Sequence, residues 1–435
     1  MTVVGLDDTD SRTDGMCTTY VAAQIAARLR RHGRVERLLL IRLNPAVEYK
    51  TRGNAALAIH IDCDPGLAFE VARECLESLA IRDDEATNPG LVVADHDPDA
   101  TPEAVRSFAR AALREHLEIE QAAALCEEVG YRHWWLGDGR GRIGALAAVG
   151  SWRSDGGPPG AEMLENAWSY EYISYRDADR WGTPRAVDAD SVFAAAAAGY
   201  PAVWDTVDRG ERETVCVPHT PGPILHGIRG DDPDAVETVA HAIESEPVAD
   251  AELFVTNQGA DAHLADGTLE TVRDGRAYRV EGVVSSEPET RRGGHVFFTL
   301  GPADGEGDHS LECAAFEPTK RFRHRVRSLR VGDHLTVCGE VSRGTLKLEK
   351  FAVRDLVDTE RVTPTCADCG RTMESAGRDQ GYRCRPCGTS ADERAEVALE
   401  RALEVGWYEV PPCARRHVAR PLVRGGFDAP THPER

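Results

Sequence analysis

Two short cysteine pairs set the firmest limit on how this chain can fold. Cys366-Ala-Asp-Cys369 is followed, 14 residues on, by Cys384-Arg-Pro-Cys387. Two such knuckles offer four thiolates, the donor set of one tetrahedral zinc ion. The stretch between them is too short and polar to bury a core of its own. Metal binding is therefore what lets residues 362–392 fold, as a zinc ribbon. With cysteine at all four positions no coordination site stays open, so the zinc is structural. The remaining eight cysteines are scattered without pattern. The opening MTVVGLDDTD has neither a basic nor an apolar leader segment, so a reducing cytoplasm is the expected location. No run approaches 18 apolar residues, so no membrane span is expected.

Upstream of the knuckles the hydrophobic period changes twice. Residues 1–160 alternate strand-like runs (Val3–Leu6, Arg37–Leu43, Ala55–Asp62, Leu91–Ala94) with helical spacing (Thr18–Arg31, Leu67–Leu79, Pro102–Leu117), which predicts an α/β layer. Residues 161–275 hold a second α/β unit. Its strand at Pro223–Arg229, helix at Asp232–Ser245 and strand at Glu252–Thr256 form a β-α-β unit compatible with a ferredoxin-like layer. Residues 276–358 read as five short strands (Tyr278–Ser285, Gly294–Leu300, Glu312–Phe316, His334–Val341 and Thr345–Val353) interrupted once by a helical segment. That pattern predicts a small Greek-key barrel of the OB type. Residues 391–404 read as an amphipathic helix, and 393–435 as a C-terminal helix followed by a loop-like tail.

The charge is unusual in kind. Lys+Arg is 51 against Asp+Glu 73, a formal net charge of -22. Only four basic residues are lysine: Lys50, Lys320, Lys347 and Lys350. Such a balance suits a proteome adapted to high salt, where net charge maintains solubility. It argues against a nucleic-acid partner, except where positive charge is concentrated locally. Lys320, Arg321, Arg323, Arg325, Arg327 and Arg330 form such a stretch inside the expected barrel, the sign an RNA-binding groove requires.

Several motifs carry chemistry. Asp7-Asp8-Thr9-Asp10 follows the first strand, and clustered carboxylates need a positive partner, for which magnesium with phosphates is the natural choice. Thr18 and Thr19 open the first helix, whose free N–H groups suit phosphate. Either hydroxyl can also accept a phosphoryl group. Lys50, Arg52, Gly53 and Asn54 place two cations between strands; Lys50 is the only lysine in the first 319 residues, a compact point charge for phosphate. Gly139-Arg-Gly141-Arg-Ile-Gly144 matches G-x-G-x-x-G but does not directly follow an apolar strand in a βαβ unit. It reads as a glycine-rich turn approaching phosphate or RNA. No GxxxxGK[ST] motif occurs. Asn257, Gln258 and Asp261, after a strand, could recognise a polar or cationic small molecule.

The acidic motif with Gly15-Met-Cys-Thr-Thr19 resembles the archaeal tRNA agmatidine synthetase family. Arg42-Leu-Asn-Pro, Lys50-Thr-Arg-Gly-Asn-Ala, Thr87-Asn-Pro-Gly, Gly139–Gly150, Tyr170–Arg176, Gly227-Ile-Arg-Gly and Thr256-Asn-Gln also match, so the resemblance spans nearly the whole chain. It implies a kinase-like catalytic domain, a ferredoxin-like domain, an OB barrel and a zinc ribbon. It implies ATP-dependent attachment of agmatine to the wobble cytidine of the minor isoleucine tRNA with a CAU anticodon, giving AMP and phosphate products. The cytosine 2-carbonyl oxygen is activated by phosphorylation. The resemblance makes Asp7, Asp8, Asp10 and Thr18 catalytic and puts a phosphorylatable threonine at Thr18. On that reading Asp7 and Asp8 hold magnesium, and Thr19, Lys50, Arg52, Gly53 and Asn54 contact phosphate; agmatine is doubly cationic, so the acid and amides of Asp261, Asn257 and Gln258 are the expected clamps, and the basic stretch Lys320–Arg330 is expected to bind the tRNA. No obligate protein partner is expected. Two other readings remain at this stage: an RNA-binding protein without catalysis, which leaves the acidic motif and Lys50 idle, and a small-molecule kinase without RNA, which leaves the basic stretch and zinc ribbon idle.

Overall fold

The computed structural model describes residues 1–11, 13–48, 53–81, 83–153, 168–303, 307 and 309–435. Lys50 and Arg52 lie outside the described residues, as does the expected domain boundary near residue 160. The first half of the chain builds one nine-stranded sheet. Its strands are β1 (Thr2–Asp7), β2 (Val35–Arg42), β3 (Ala55–Ile61), β4 (Gly90–Asp95), β5 (Arg132–Trp135), β6 (Ser169–Arg176), β7 (Val203–Trp204), β8 (Ile224–Gly230) and β9 (Val248–Thr256). Their order is β5-β4-β1-β3-β2-β9-β6-β8-β7. The two expected α/β units are thus fused, edge to edge, by the parallel pair β2–β9, in which Leu38 faces Phe254.

Alternation along the strands decides where each side chain goes. Val3, Leu39, Ile41, Ala56 and Val92 pack on one face, under α3 (Glu103–Ala112), α4 (Ile119–Val129) and α5 (Gly141–Val149). Val4, Leu38, Leu40, Leu57 and Val93 pack on the other, under α1 (Thr18–Leu29) and α2 (Pro65–Leu79). Neighbouring residues falling on opposite faces is the period-two pattern of a sheet buried on both sides. In the second unit, β8 and β9 flank β6 and are joined through α7 (Pro233–His241), a split β-α-β arrangement. The alanine-rich α6 (Ala189–Gly199) packs beside α7 around Val192, Val236 and Val239.

After the short β10 (Leu264–Gly267), the expected barrel is present strand for strand. β11 (Arg276–Val284), β13 (Val296–Gly301), β14 (Leu311–Ala315), β16 (Thr345–Asp355) and β15 (His334–Ser342) pair in that cyclic order, and β15 closes on β11. The two-residue β12 (Glu289–Thr290) flanks β13, and α8 (Phe322–Arg327) lies between β14 and β15, plugging the barrel with Phe322 and Val326.

The C-terminal region differs from expectation. Residues 391–404 contain no helix: β17 (Thr359–Val362) pairs with β21 (Ala395–Ala398) as a two-stranded ribbon beside β18 (Glu374–Ser375), β19 (Tyr382–Arg383) and β20 (Ser390–Ala391). The cysteine knuckles bring the flanking segments side by side, so a ladder forms. An isolated amphipathic helix of that length has no face to bury and is marginal alone. The tail is not a loop either. β22 (Gly406–Glu409) extends the barrel sheet along β16, followed by β23 (Thr431–His432), and Trp407, Tyr408, Val410 and Leu422 are buried.

Charge pairs sew this tail and the barrel to the first sheet. Arg415 lies between Asp205 (3.0 Å) and Glu409 (2.8 Å). Arg424 reaches Asp231 (2.7 Å). Lys350, 1% exposed, is held by Asp261 (2.8 Å).

Candidate active site

β1 ends on Asp7, and the chain turns at once: Asp8 takes a left-handed backbone conformation (φ 61). The turn returns the Asp8 N–H to Asp7 Oδ1 at 2.7 Å, while Asp8 Oδ2 accepts from the Asn88 N–H at 3.0 Å. Both carboxylates are thereby fixed at the sheet end, where open α/β sheets bind ligands. Burial pushes the Asp7 carboxyl well above the ordinary range, and the neighbouring Asp8 and Asp10 add to it. Burial also raises Asp8, to about 7, against the Asn88 hydrogen bond that favours its charged form. Two half-buried acids this reluctant to ionise are a site awaiting positive charge.

The glycine motif reaches the cavity that these acids line, with Gly141 and Gly144 in its wall. Gly141 donates its N–H to Asn88 O (2.9 Å), and α5 begins there, packed onto β1 and β4. A side chain at Gly144 would fall on the Asp7 carboxylate, and one at Gly141 on the backbone of Asn88 and Gly90. The glycines let a helix N-terminus lie against Asp7, which its dipole favours.

On the other side, Cys17 precedes α1, and Thr18 and Thr19 open it, both buried. The Thr9 hydroxyl donates to Thr18 Oγ1 at 3.1 Å, tying the acidic turn to that helix. Asp7, Asp8, Cys17, Thr18 and Thr19 line this one cavity, of about 360 Å³, together with Asp10, Gly53 and Asn54. Asn54 also braces its loop through Asn44 O (2.9 Å). Within the described residues the structure thus gathers Asp7, Asp8, Asp10, Thr18, Thr19, Gly53 and Asn54 at one place.

It separates others. Asn257 exchanges hydrogen bonds with the Arg42 backbone (2.7 and 3.0 Å), and Gln258 Oε1 accepts from Arg42 Nε (2.9 Å). They brace a cavity residue without lining the cavity themselves. Asp261 accepts from Lys350 Nζ (2.8 and 3.0 Å) and the Arg420 N–H (2.7 Å), away from the cavity. In the basic stretch, Arg321 is held by Asp208 (2.8 Å) and Glu434 (2.6 Å), and Arg323 donates to Gly294 O (2.7 Å). Arg327 donates to Thr290 (3.0 Å), Arg325 and Arg330 are exposed, and Lys320 is half-buried. Two of the six cations therefore hold the fold.

Arg42, Glu171 and Arg229, which enter the sequence reading only inside matching segments and without a role, line the same cavity from β2, β6 and β8. The wall from β6 and β8 means that both α/β units contribute to the site. The four cysteines bring their sulfur atoms within 4.8 Å of one another, as one tetrahedral ion requires, and no other group of three or more metal-binding side chains meets that limit among the described residues. Paired turns (Gly370 N–H to Cys366 O, 2.9 Å; Gly388 N–H to Cys384 O, 2.8 Å) shape the two knuckles. No helix among the described residues is long and apolar enough to cross a membrane.

Comparison with known proteins gives a consistent result over the whole length. Residues 3–66 match the TiaS TCKD domain, 139–263 the TiaS FLD domain, and 363–403 the TiaS C-terminal zinc ribbon domain. The TiaS of Haloquadratum walsbyi, a 2-agmatinylcytidine synthetase acting on an isoleucine tRNA, is 54% identical, covering 100% of both chains. The TiaS of Methanosarcina acetivorans is 45% identical over 97% of each. Among solved structures, a complex of TiaS with that isoleucine tRNA and ATP superposes with a TM-score of 0.86 at 40% identity, covering 100% of this chain and 99% of that one. A complex of TiaS with the same tRNA, AMPCPP and agmatine gives 0.84 at 37%, with the same coverage.

Proposed function

The chain belongs to the TiaS family of tRNA 2-agmatinylcytidine synthetases, and from that membership we infer that it is an ATP-dependent ligase joining agmatine to the minor isoleucine tRNA. The observation that carries the inference at residue level is the shared cavity: half-buried carboxylates, two threonine hydroxyls and the guanidiniums of Arg42, Arg140 and Arg229 converge there from both α/β units. A non-catalytic RNA-binding protein would have no use for so costly a cluster of half-buried charge.

We assign the chemistry as follows. Cytosine's 2-carbonyl is a weak electrophile with a poor leaving group. Transfer of the terminal phosphoryl group of ATP to that oxygen gives a phosphate ester and ADP, and passage of the next phosphoryl group to Thr18 and then to water gives AMP and phosphate. The primary amine of agmatine then attacks C2, the C2–O bond breaks, phosphate leaves with the bonding electrons, and the attacking nitrogen gives up a proton to the departing phosphate or to water. Asp7 and Asp8, with Asp10 near, would hold magnesium, which when bound offsets charge on the transferring phosphoryl group. The fit rests on the donors: two hard carboxylates suit an ion that completes its shell with waters and phosphate. We assign Thr18, at the helix start and hydrogen-bonded to Thr9, the role of phosphoryl acceptor, and Thr19, Gly53 and Asn54 that of phosphate contacts; Lys50 and Arg52, outside the described residues, are assigned to phosphate as well. The wobble cytidine must leave its stack to enter the cavity, which is inexpensive in a single-stranded loop.

We divide the chain into a kinase-like domain (1–160), a ferredoxin-like domain (161–275), an OB barrel (276–358) and a zinc ribbon (362–392), with 393–435 as an extension. The barrel's cyclic strand order and inserted helix support the OB label. Lys320, Arg325, Arg327 and Arg330 are the tRNA contacts left once Arg321 and Arg323 are committed to the fold. A tRNA-modifying enzyme of this kind works in the cytoplasm. The test is direct: purified protein, ATP-magnesium, labelled agmatine and the minor isoleucine tRNA in molar salt. Label enters the tRNA only when ATP is present. Folded, zinc-loaded protein that leaves the tRNA unlabelled sinks the reading.

A further inference from the structure

On the strands beyond its acidic end the cavity carries two arginines, Arg42 and Arg229. Arg229 sits directly across from Glu171 in the β8–β6 ladder and donates from Nε to Glu171 Oε1 at 3.2 Å. Arg42 approaches the other carboxylate oxygen, Nη2 to Oε2, only to 3.8 Å, which is too long for a hydrogen bond. Arg42 is aimed by other means. Gln258 takes its Nε, and Asn257 grips its backbone on both sides. Its Nη1 lies beside Gly53, where a side chain would collide with it.

Two guanidiniums therefore approach the same carboxylate in a largely buried wall, and only Arg229 hydrogen-bonds to it. Elsewhere the chain balances its buried arginines: Arg176 has Glu246, and Arg415 has both Asp205 and Glu409. The terminal Nη groups of Arg42 and Arg229 donate to no protein acceptor among the described residues. A guanidinium carries five N–H donors, so most of this donor set is free. Burial also pulls the Arg42 pKa down in spite of Glu171, the response of a cation short of negative charge. Arginine forks match phosphate oxygens two at a time.

We propose that Arg42 and Arg229, with Glu171 and Gln258 as positioning residues, form a seat for a phosphate group on the side of the cavity away from Asp7 and Asp8. Such a seat, with the acidic pair holding a divalent cation, would grip a polyphosphate from both sides. The phosphate comes either from ATP or from the tRNA backbone next to the target cytidine. The proposal rests on the synthetase reading for its choice of ligand.

The experiment uses the full-length, zinc-loaded protein in molar salt, with Arg42→Gln, Arg229→Gln, Arg229→Lys and Gln258→Glu. The last gives Arg42 a carboxylate partner without removing the arginine, so the seat is neutralised even if an arginine variant does not fold. ATP-magnesium and pyrophosphate binding are measured without tRNA, tRNA affinity without ATP, and the agmatine KM in the ligation assay. A seat for ATP predicts about a 10- to 100-fold loss of ATP and pyrophosphate affinity, partial rescue in Arg229→Lys and unchanged tRNA affinity. A seat for backbone phosphate moves the loss to tRNA. Folded variants that bind ATP, pyrophosphate and tRNA as the parent does, or that alter only the agmatine KM, overturn the proposal. A parent protein that binds ATP yet never labels tRNA overturns the synthetase reading instead, and the binding measurements still decide the seat.

Discussion

Replacing Asp261 by Asn tests whether its carboxylate serves the fold or the substrate. The side chain accepts two hydrogen bonds from Lys350, one from the Arg420 backbone and one, at 3.3 Å, from Arg279. Lys350 is buried beneath Phe427 and Trp407, its ammonium 4.7 Å and 5.4 Å from their ring centres. Asparagine keeps the shape and removes the counterion, leaving a buried ammonium uncompensated at a cost of about 3–5 kcal/mol. That corresponds to a melting temperature lower by on the order of 5–15 °C. Because the pair is buried, salt screens it little, so the loss persists in molar KCl. Lys350→Met added to Asp261→Asn removes both charges and restores most of the stability. Lys350 and the other cations hold the Asp261 carboxyl below the usual range against the effect of burial. A lowered carboxylate stabilises the fold above its unfolded value and loses that contribution as pH falls through the folded one. Melts of the three proteins from pH 7 downward, with the agmatine KM measured where all are folded, decide the matter. Unchanged stability together with a raised KM in Asp261→Asn would refute the structural assignment and return Asp261 to the agmatine site.

Other substitutions test other links. Gly144→Ala places a methyl on the Asp7 carboxylate; AMP release should fall at least about 100-fold while the melting temperature drops only modestly, as for a single overpacked site. His226 is buried, its pKa lowered to about 4 by burial, and neither ring nitrogen has a hydrogen-bond partner. Since its folded pKa lies below the unfolded 6.5, stability falls as pH drops from 6.5 towards 4; His226→Leu should shift the acid-unfolding midpoint to lower pH, measured by circular dichroism. Chelation should release one zinc per chain, expose four titratable thiols and melt the strands between Glu374 and Ala391, leaving ATP binding intact in a dialysis assay.

How far the sequence reveals this molecule depends on whether the deciding contacts are local. Asp7, Asp8, Thr18 and Thr19 are legible because a strand end and a helix start place them together within a dozen residues. The barrel strands are legible because period-two alternation directly reflects a one-sided core. The four cysteines are legible because the metal imposes their spacing. Residues 395–398 mislead because their ladder partner, residues 359–362, is brought close only by the metal-bound knuckles. Arg321 looks like part of an RNA-binding stripe until Asp208 and Glu434, more than a hundred residues away, arrive beside it. Arg42 and Arg229, seen only within matching segments, receive no role because an arginine in a strand reads as solvent-facing, and only the assembled sheet turns both towards the cavity.

The β2–β9 junction also bears on the order of folding. Leu38 meets Phe254 across more than two hundred residues, so this pairing carries a heavy loop-closure cost and forms late. Until β9 arrives, the apolar run Leu38–Ile41 of β2 is an open sheet edge, a template for another copy of the chain. The cavity, walled from both units, is then among the last features to form. Aggregation during refolding should therefore be suppressed by a charge placed on that edge, and ATP binding should appear only after the barrel and zinc ribbon have already formed.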